Sequence, residues 1–123
     1  MPSTVFVLKI DNIEVGVLTY NEFNKQKESH KTWDFAYTEN FKKVAGKEIG
    51  QYNLITQFKD INKVYFSHEL WPFFKIRIPG LKQPALIEIL EDEEIDKNDE
   101  CSLLKKFGNK CISNPYILEI YES

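Results

Sequence analysis

The chain has 123 residues, 42% of them hydrophobic and 14% aromatic, which is enough apolar side chain to close one core and argues against intrinsic disorder. Its 16 basic and 19 acidic residues give a net charge of -3 and are mixed along the sequence, so the clustered cations that direct nucleic-acid binding needs are missing. No charge-free stretch approaches the about 18 apolar residues of a membrane span. The opening Met1-Pro2-Ser3-Thr4-Val5 has no basic n-region or cleavage site, and one cytoplasmic domain over 1–123 is expected.

Val5 to Ile10 and Ile13 to Tyr20 are β-branched and aromatic runs separated by Asp11-Asn12, residues that tolerate the positive φ of a tight turn. They predict an N-terminal β-hairpin. Residues 21–31 are polar without an apolar stripe and read as an exposed connection. Trp33, Phe35 and Tyr37 alternate with Asp34 and Ala36, the period of a half-buried strand. Thr38 before Glu39-Asn40-Phe41-Lys42-Lys43-Val44 predicts a capped helical turn that ends before Gly46. Tyr52, Leu54, Thr56 and Phe58 alternate with polar neighbours and predict a further strand, and Val64-Tyr65-Phe66 a short one.

Pro72 suits the first position of a helix and Pro79-Gly80 ends one, so a short helix is expected over Pro72 to Ile78 with Phe73 and Ile76 on one side. Leu86, Ile89 and Leu90 after Pro84 predict a longer helix. Leu103, Leu104 and Phe107 predict another between Asp99 as N-cap and Gly108 as C-terminal stop. Tyr116 to Tyr121 reads as a closing strand. Strands at both ends with helices between them give an α+β fold.

Few residues could carry chemistry. His30, His68, Cys101 and Cys111 are the soft ligands, and none shows the paired spacing of a zinc site. The two cysteines lie near opposite ends of a helix about 15 Å long, too far apart for a disulfide, and are expected as reduced core thiols. Gly16, Gly46, Gly50, Gly80 and Gly108 stand singly, so no phosphate loop is encoded. A nucleophile, base and orienting acid are not assembled either, and no catalytic residue, metal or cofactor is expected. Eight of the 19 acids fall between Glu88 and Glu100. That run reads first as a solvated helix end and second as a patch that steers a basic partner.

Trp71 has two readings, core packing or an outward anchor. Pro72 holds the preceding residue extended, which lets the indole project at the helix start, and Trp is the residue most enriched among interface anchors. Trp71 with the preceding His68, Glu69 and Leu70 is the expected partner-binding segment.

The chain resembles the N-terminal subdomain of the HipA family of toxin kinases. Val7-Leu8-Lys9-Ile10-Asp11-Asn12-Ile13-Glu14-Val15-Gly16-Val17-Leu18 is similar to that family's strand, turn and "VG-L" strand. Trp33-Asp34-Phe35-Ala36-Tyr37 resembles its "F-Y" strand, and Pro72-Phe73-Phe74 with Ile78-Pro79 its "FF-NLLP" helix. Ser102 to Ile112 is similar to the "LL--LG-DC-GA" segment. The order is preserved along the whole chain, with Pro79-Gly80 in place of the family's Pro-Glu and Ser113-Asn114 in place of its Gly-Ala. The family's ATP-binding and catalytic motifs do not occur.

The resemblance implies a small antiparallel sheet or partly closed β-barrel with three or four short helices. It further implies a free-standing HipS-like antitoxin of HipBST modules that binds and neutralises a HipT-type serine/threonine kinase. A helix-turn-helix HipB-type protein would complete the complex and contact DNA, with no direct nucleic-acid binding by this chain. The resembling kinases usually carry a smaller residue at the position of Trp71. The alternative reading is a HipA-like structural subunit that stabilises its kinase without inhibiting it.

Overall fold

Asp11 and Asn12 both adopt positive φ, 48° and 68°, the backbone of a two-residue hairpin turn whose twist matches its strands. In the computed structural model, which describes residues 3–25, 28–45, 54–80, 82–111 and 114–121, that turn joins β1 (Ser3–Ile10) to β2 (Ile13–Lys25). The register slips between Leu8 and Lys9, where Gly16 pairs with Leu8 and Glu14 with Lys9, so Val15 is the extra residue of a bulge. Its carbonyl accepts the Thr38 N–H at 2.9 Å, and the Thr38 hydroxyl donates to the Glu14 carbonyl while accepting from the Phe41 N–H. Thr38 therefore ties the bulge to α1 (Glu39–Val44) as well as capping that helix. Gly46, where the helix was expected to stop, lies outside the described residues.

β3 (Glu28–Tyr37) pairs with β2 as far as Lys25 opposite Glu28. Of the connection expected over 21–31, residues 26 and 27 lie outside the described residues, while 21–25 and 28–31 continue the two strands. Main-chain pairing holds them, and main-chain pairing leaves no apolar period to read. β4 (Tyr65–Ser67) and β5 (Ile117–Ile120) complete an antiparallel sheet of order β4-β3-β2-β1-β5. The sheet is open, which decides between the two expected forms, and with α2 (Pro72–Lys75), α3 (Pro84–Asp92) and α4 (Glu100–Phe107) it makes an α+β fold.

The expected strand around Tyr52 to Phe58 is not formed over its described part. Ile55 and Phe58 instead close a turn, Phe58 N–H to Ile55 C=O at 2.8 Å, with both side chains buried. The Tyr37 hydroxyl accepts from the Ile55 N–H and donates to the Phe58 carbonyl, so a side chain replaces the ladder a strand would have needed.

Phe6, Leu8, Leu18, Trp33 and Phe35 line the inner face of the sheet at 2% exposure or less. Each such side chain contributes about 1.5–3 kcal/mol through burial. Phe35 sits at the centre, stacked on Phe58 at 4.3 Å between centroids and tilted against Phe74 at 5.7 Å. The helices meet this face through Phe41, Phe74, Cys101 and Leu104. Asp99 caps α4 by accepting the Ser102 N–H at 3.1 Å, and Leu103 and Leu104 are buried.

α2 turns inward differently from expectation. Its one α-turn stops at Lys75, and the turn bonds Arg77 N–H to Phe74 C=O and Ile78 N–H to Lys75 C=O carry the chain onward. Phe74 and Arg77 face inward, while Ile76 is 55% exposed. On α3, likewise, Leu86 and Leu90 are buried whereas Ile89 is exposed. Cys101 is buried and Cys111 half-buried, both as free thiols.

Candidate functional site

Trp71 is the N-cap of α2, with φ -66° and ψ 147°, the extended backbone that a following proline imposes. A tryptophan offers no oxygen to cap the helix, and Gln57 supplies one: its Oε1 accepts the Phe73 N–H at 3.0 Å. Trp71's own carbonyl accepts from Phe74 and Lys75. The backbone of this residue is thereby fixed on both sides. Its indole is half-buried and stands edge-on to Phe58 at 5.1 Å, at the margin of the core rather than inside it.

The segment before it alternates. Tyr65 turns inward onto Phe58, while Phe66 on the opposite face is 60% exposed and meets the His68 ring edge-on at 5.3 Å. His68 and Glu69 are both exposed, and the Glu69 N–H donates to the Ser67 hydroxyl at 3.0 Å, which turns the chain off the end of β4. Leu70 is a correction. At 2% exposure it belongs to the core, because the turn after Ser67 points it back under the sheet, and it presents no surface to a partner.

The structure therefore gathers His68, Glu69 and Trp71 at one corner, between the sheet's edge strand and the start of α2. Two residues there escaped the sequence reading, Val64 at 64% exposure and Phe66. Their signal was available: Val64, Phe66 and His68 share one parity around inward-facing Tyr65, which in an edge strand puts large apolar groups on the outside. Behind Glu69 lies a cavity of about 400 Å³, whose walls include the Lys75–Glu100 ion pair at 3.6 Å.

The corner offers shape and apolar surface. Among the described residues, no set of three or more His, Cys, Asp or Glu could hold a metal ion, and no helix is long and apolar enough to cross a membrane. Burial pushes the Tyr20 and Tyr37 hydroxyls up to about 12, raises the Cys101 thiol and lowers Arg77. The buried tyrosines and Arg77 serve packing and internal hydrogen bonds. Comparison of the chain with family models, with curated proteins and with solved structures gives no match.

Proposed function

We propose that the chain is a protein-binding antitoxin of the HipS type, which docks on a HipT-type serine/threonine kinase and neutralises it. The observation that carries this reading is the half-buried Trp71, its backbone held extended before Pro72 and its ring set against Phe58, in the segment that follows exposed Phe66, His68 and Glu69. A large aromatic held rigid before binding loses little entropy on docking, the quality that makes tryptophan a frequent anchor. The ordered resemblance to the kinase subdomain supplies the kind of partner. On this reading the chain works stoichiometrically in the cytoplasm, without turnover of its own. A HipB-type helix-turn-helix protein in the same complex contacts DNA.

Expressing a HipT-type kinase encoded beside this chain, with and without the chain, tests the reading. Growth arrest relieved by co-expression is expected, while persistent arrest with an intact complex would make the chain a structural subunit instead. Trp71→Ala should weaken kinase binding about thirtyfold or more, the scale of an anchor contributing at least about 2 kcal/mol. Because the indole also leans on Phe58, the variant should lose some thermal stability, but less than the about 3–5 kcal/mol of a fully buried Trp→Ala. Unchanged affinity in a folded variant would remove Trp71 from the interface.

A further inference from the structure

The C-terminus of α3 ends in a Schellman motif, with the Ile95 N–H donating to Leu90 C=O at 2.8 Å and the Glu94 N–H to Glu91 C=O at 3.2 Å. That motif brings Ile95 against the Leu90 turn. Together with Ile87, 41% exposed, these two residues line an apolar groove of about 690 Å³. The volume lies within the about 300–1,000 Å³ typical of a pocket that takes a ligand. Glu91, Glu94 and Asp96 also line it, with Lys82 and Lys97.

Four features set this segment apart. Glu94 occupies the left-handed position of the motif at φ 54°, where glycine or asparagine is favoured. The last turn of α3 contains no basic residue, so Glu91 and Asp92 lie at the negative end of the helix dipole. Glu88 and Asp92, four residues apart, repel one another. Among the described residues none of Glu88, Glu91, Asp92 and Glu94 has an ion-pair partner, whereas neighbouring Glu93 is taken by Lys106 at 2.7 Å. Three carboxylates thus face two ammonium groups around the aliphatic side chains of Ile87, Leu90 and Ile95, of which Ile87 is exposed.

We infer that this groove docks a short cationic segment of a partner protein, with one or two aliphatic side chains seated on Ile87, Leu90 and Ile95 and Lys or Arg groups against Glu91, Glu94 and Asp96. Anionic partners such as nucleic acid or an acidic membrane surface meet repulsion here. His68, Glu69 and Trp71 do not line the groove, so its occupant and the role of Trp71 can be tested separately.

The probe is a fluorescein-labelled 14-residue peptide with Leu at helical spacing and Lys elsewhere, titrated with the full chain and followed by anisotropy. Saturable one-to-one binding that weakens with added salt is expected. Glu94→Gly should keep or raise the melting temperature, since glycine suits that backbone, yet weaken binding roughly twofold to fivefold. Adding Glu91→Gln and Asp96→Asn should bring the loss to about tenfold or more. Ile87→Ser, at an exposed position, should weaken it as well. Equal binding of a peptide with Ser for Leu, or affinity unchanged in the triple variant and in Ile87→Ser, would overturn the proposal. So would self-association of the protein alone that the triple variant abolishes, which would give the groove to a second copy.

Discussion

Gly16 lies directly under the Phe35 ring. A Cβ added there would stand 2.3 Å from Phe35 Cζ and 2.6 Å from Cε1, far inside contact distance, so the aromatic centre of the core depends on a missing side chain. Gly16→Ala should therefore cost about 1–3 kcal/mol, the range for overpacking a filled core. The cost should shrink when combined with Phe35→Leu, and urea unfolding of the single and double variants measures both. A single variant as stable as the parent would mean that the ring can move aside. At this scale the sequence was legible where a residue acts on its own backbone. Asp11-Asn12, Thr38, Asp99 and the extended backbone of Trp71 were all readable that way. Leu70 was not, because its direction is decided by the Ser67 turn and the packing beyond it rather than by its neighbours in the chain.

Among the elements, the connection from α4 to β5 is held by a side chain from the turn after α2. Arg77 is 4% exposed. Its guanidinium donates to the Gly108 carbonyl at 3.0 Å, the Asn114 side-chain oxygen at 3.0 Å and the Tyr116 carbonyl at 2.8 Å. Burial lowers its pKa, and the planar fork reaches oxygens that a lysine's single ammonium cannot reach together. Arg77→Lys should cost about 2–4 kcal/mol through orphaned carbonyls. It should speed amide exchange in 116–120 before other strands, which hydrogen-exchange mass spectrometry would resolve, and uniform exchange across all strands would rule out a local clamp. Nothing in the sequence announces this clamp, since its partners are more than thirty residues away. The same holds for Gln57 capping α2. The described part of the strand expected over Tyr52 to Phe58 did not form for a related reason, because the hydroxyl of distant Tyr37 took the backbone groups of Ile55 and Phe58 that a neighbouring strand would have used.

For the molecule as a whole, alkaline pH should be the more informative stress. Tyr20 and Tyr37 are 7% and 5% exposed, and burial raises both from 10.0 to about 12. Tyr116 and Cys101 are raised for the same reason. A tyrosine held neutral in the fold contributes stability that is fully present below the unfolded value near 10 and is lost as pH climbs towards 12. Each of the two buried hydroxyls accounts for roughly 2–3 kcal/mol over that window. The urea midpoint should fall steeply between about pH 10 and 12, and Tyr37→Phe should start lower but fall less. A midpoint that holds through pH 11.5 would contradict the burial of these groups. The α+β class and most element positions were open to sequence reading because they rest on local period and caps. The groove on α3 was half open: its acids were visible as a run, but its aliphatic floor depends on how the Schellman motif folds Ile95 back.

The pairing of β1 with β5 sets a timetable. Phe6 lies opposite Ile120, so the second neighbour of β1 is translated only after every element from β2 to α4. At about 5–20 residues per second, roughly 6–23 s separate the two during synthesis, whereas a hairpin closes in about 1–10 μs. The β1–β2 hairpin is thus made early and then waits, with the outer edge of β1 bare and Val5, Phe6 and Val7 still uncovered. An unpaired apolar edge of this kind invites pairing with other chains. The nascent protein is consequently most vulnerable to misassembly while the stretch between β1 and β5 is being translated, and the five-stranded sheet is completed only when β5 arrives.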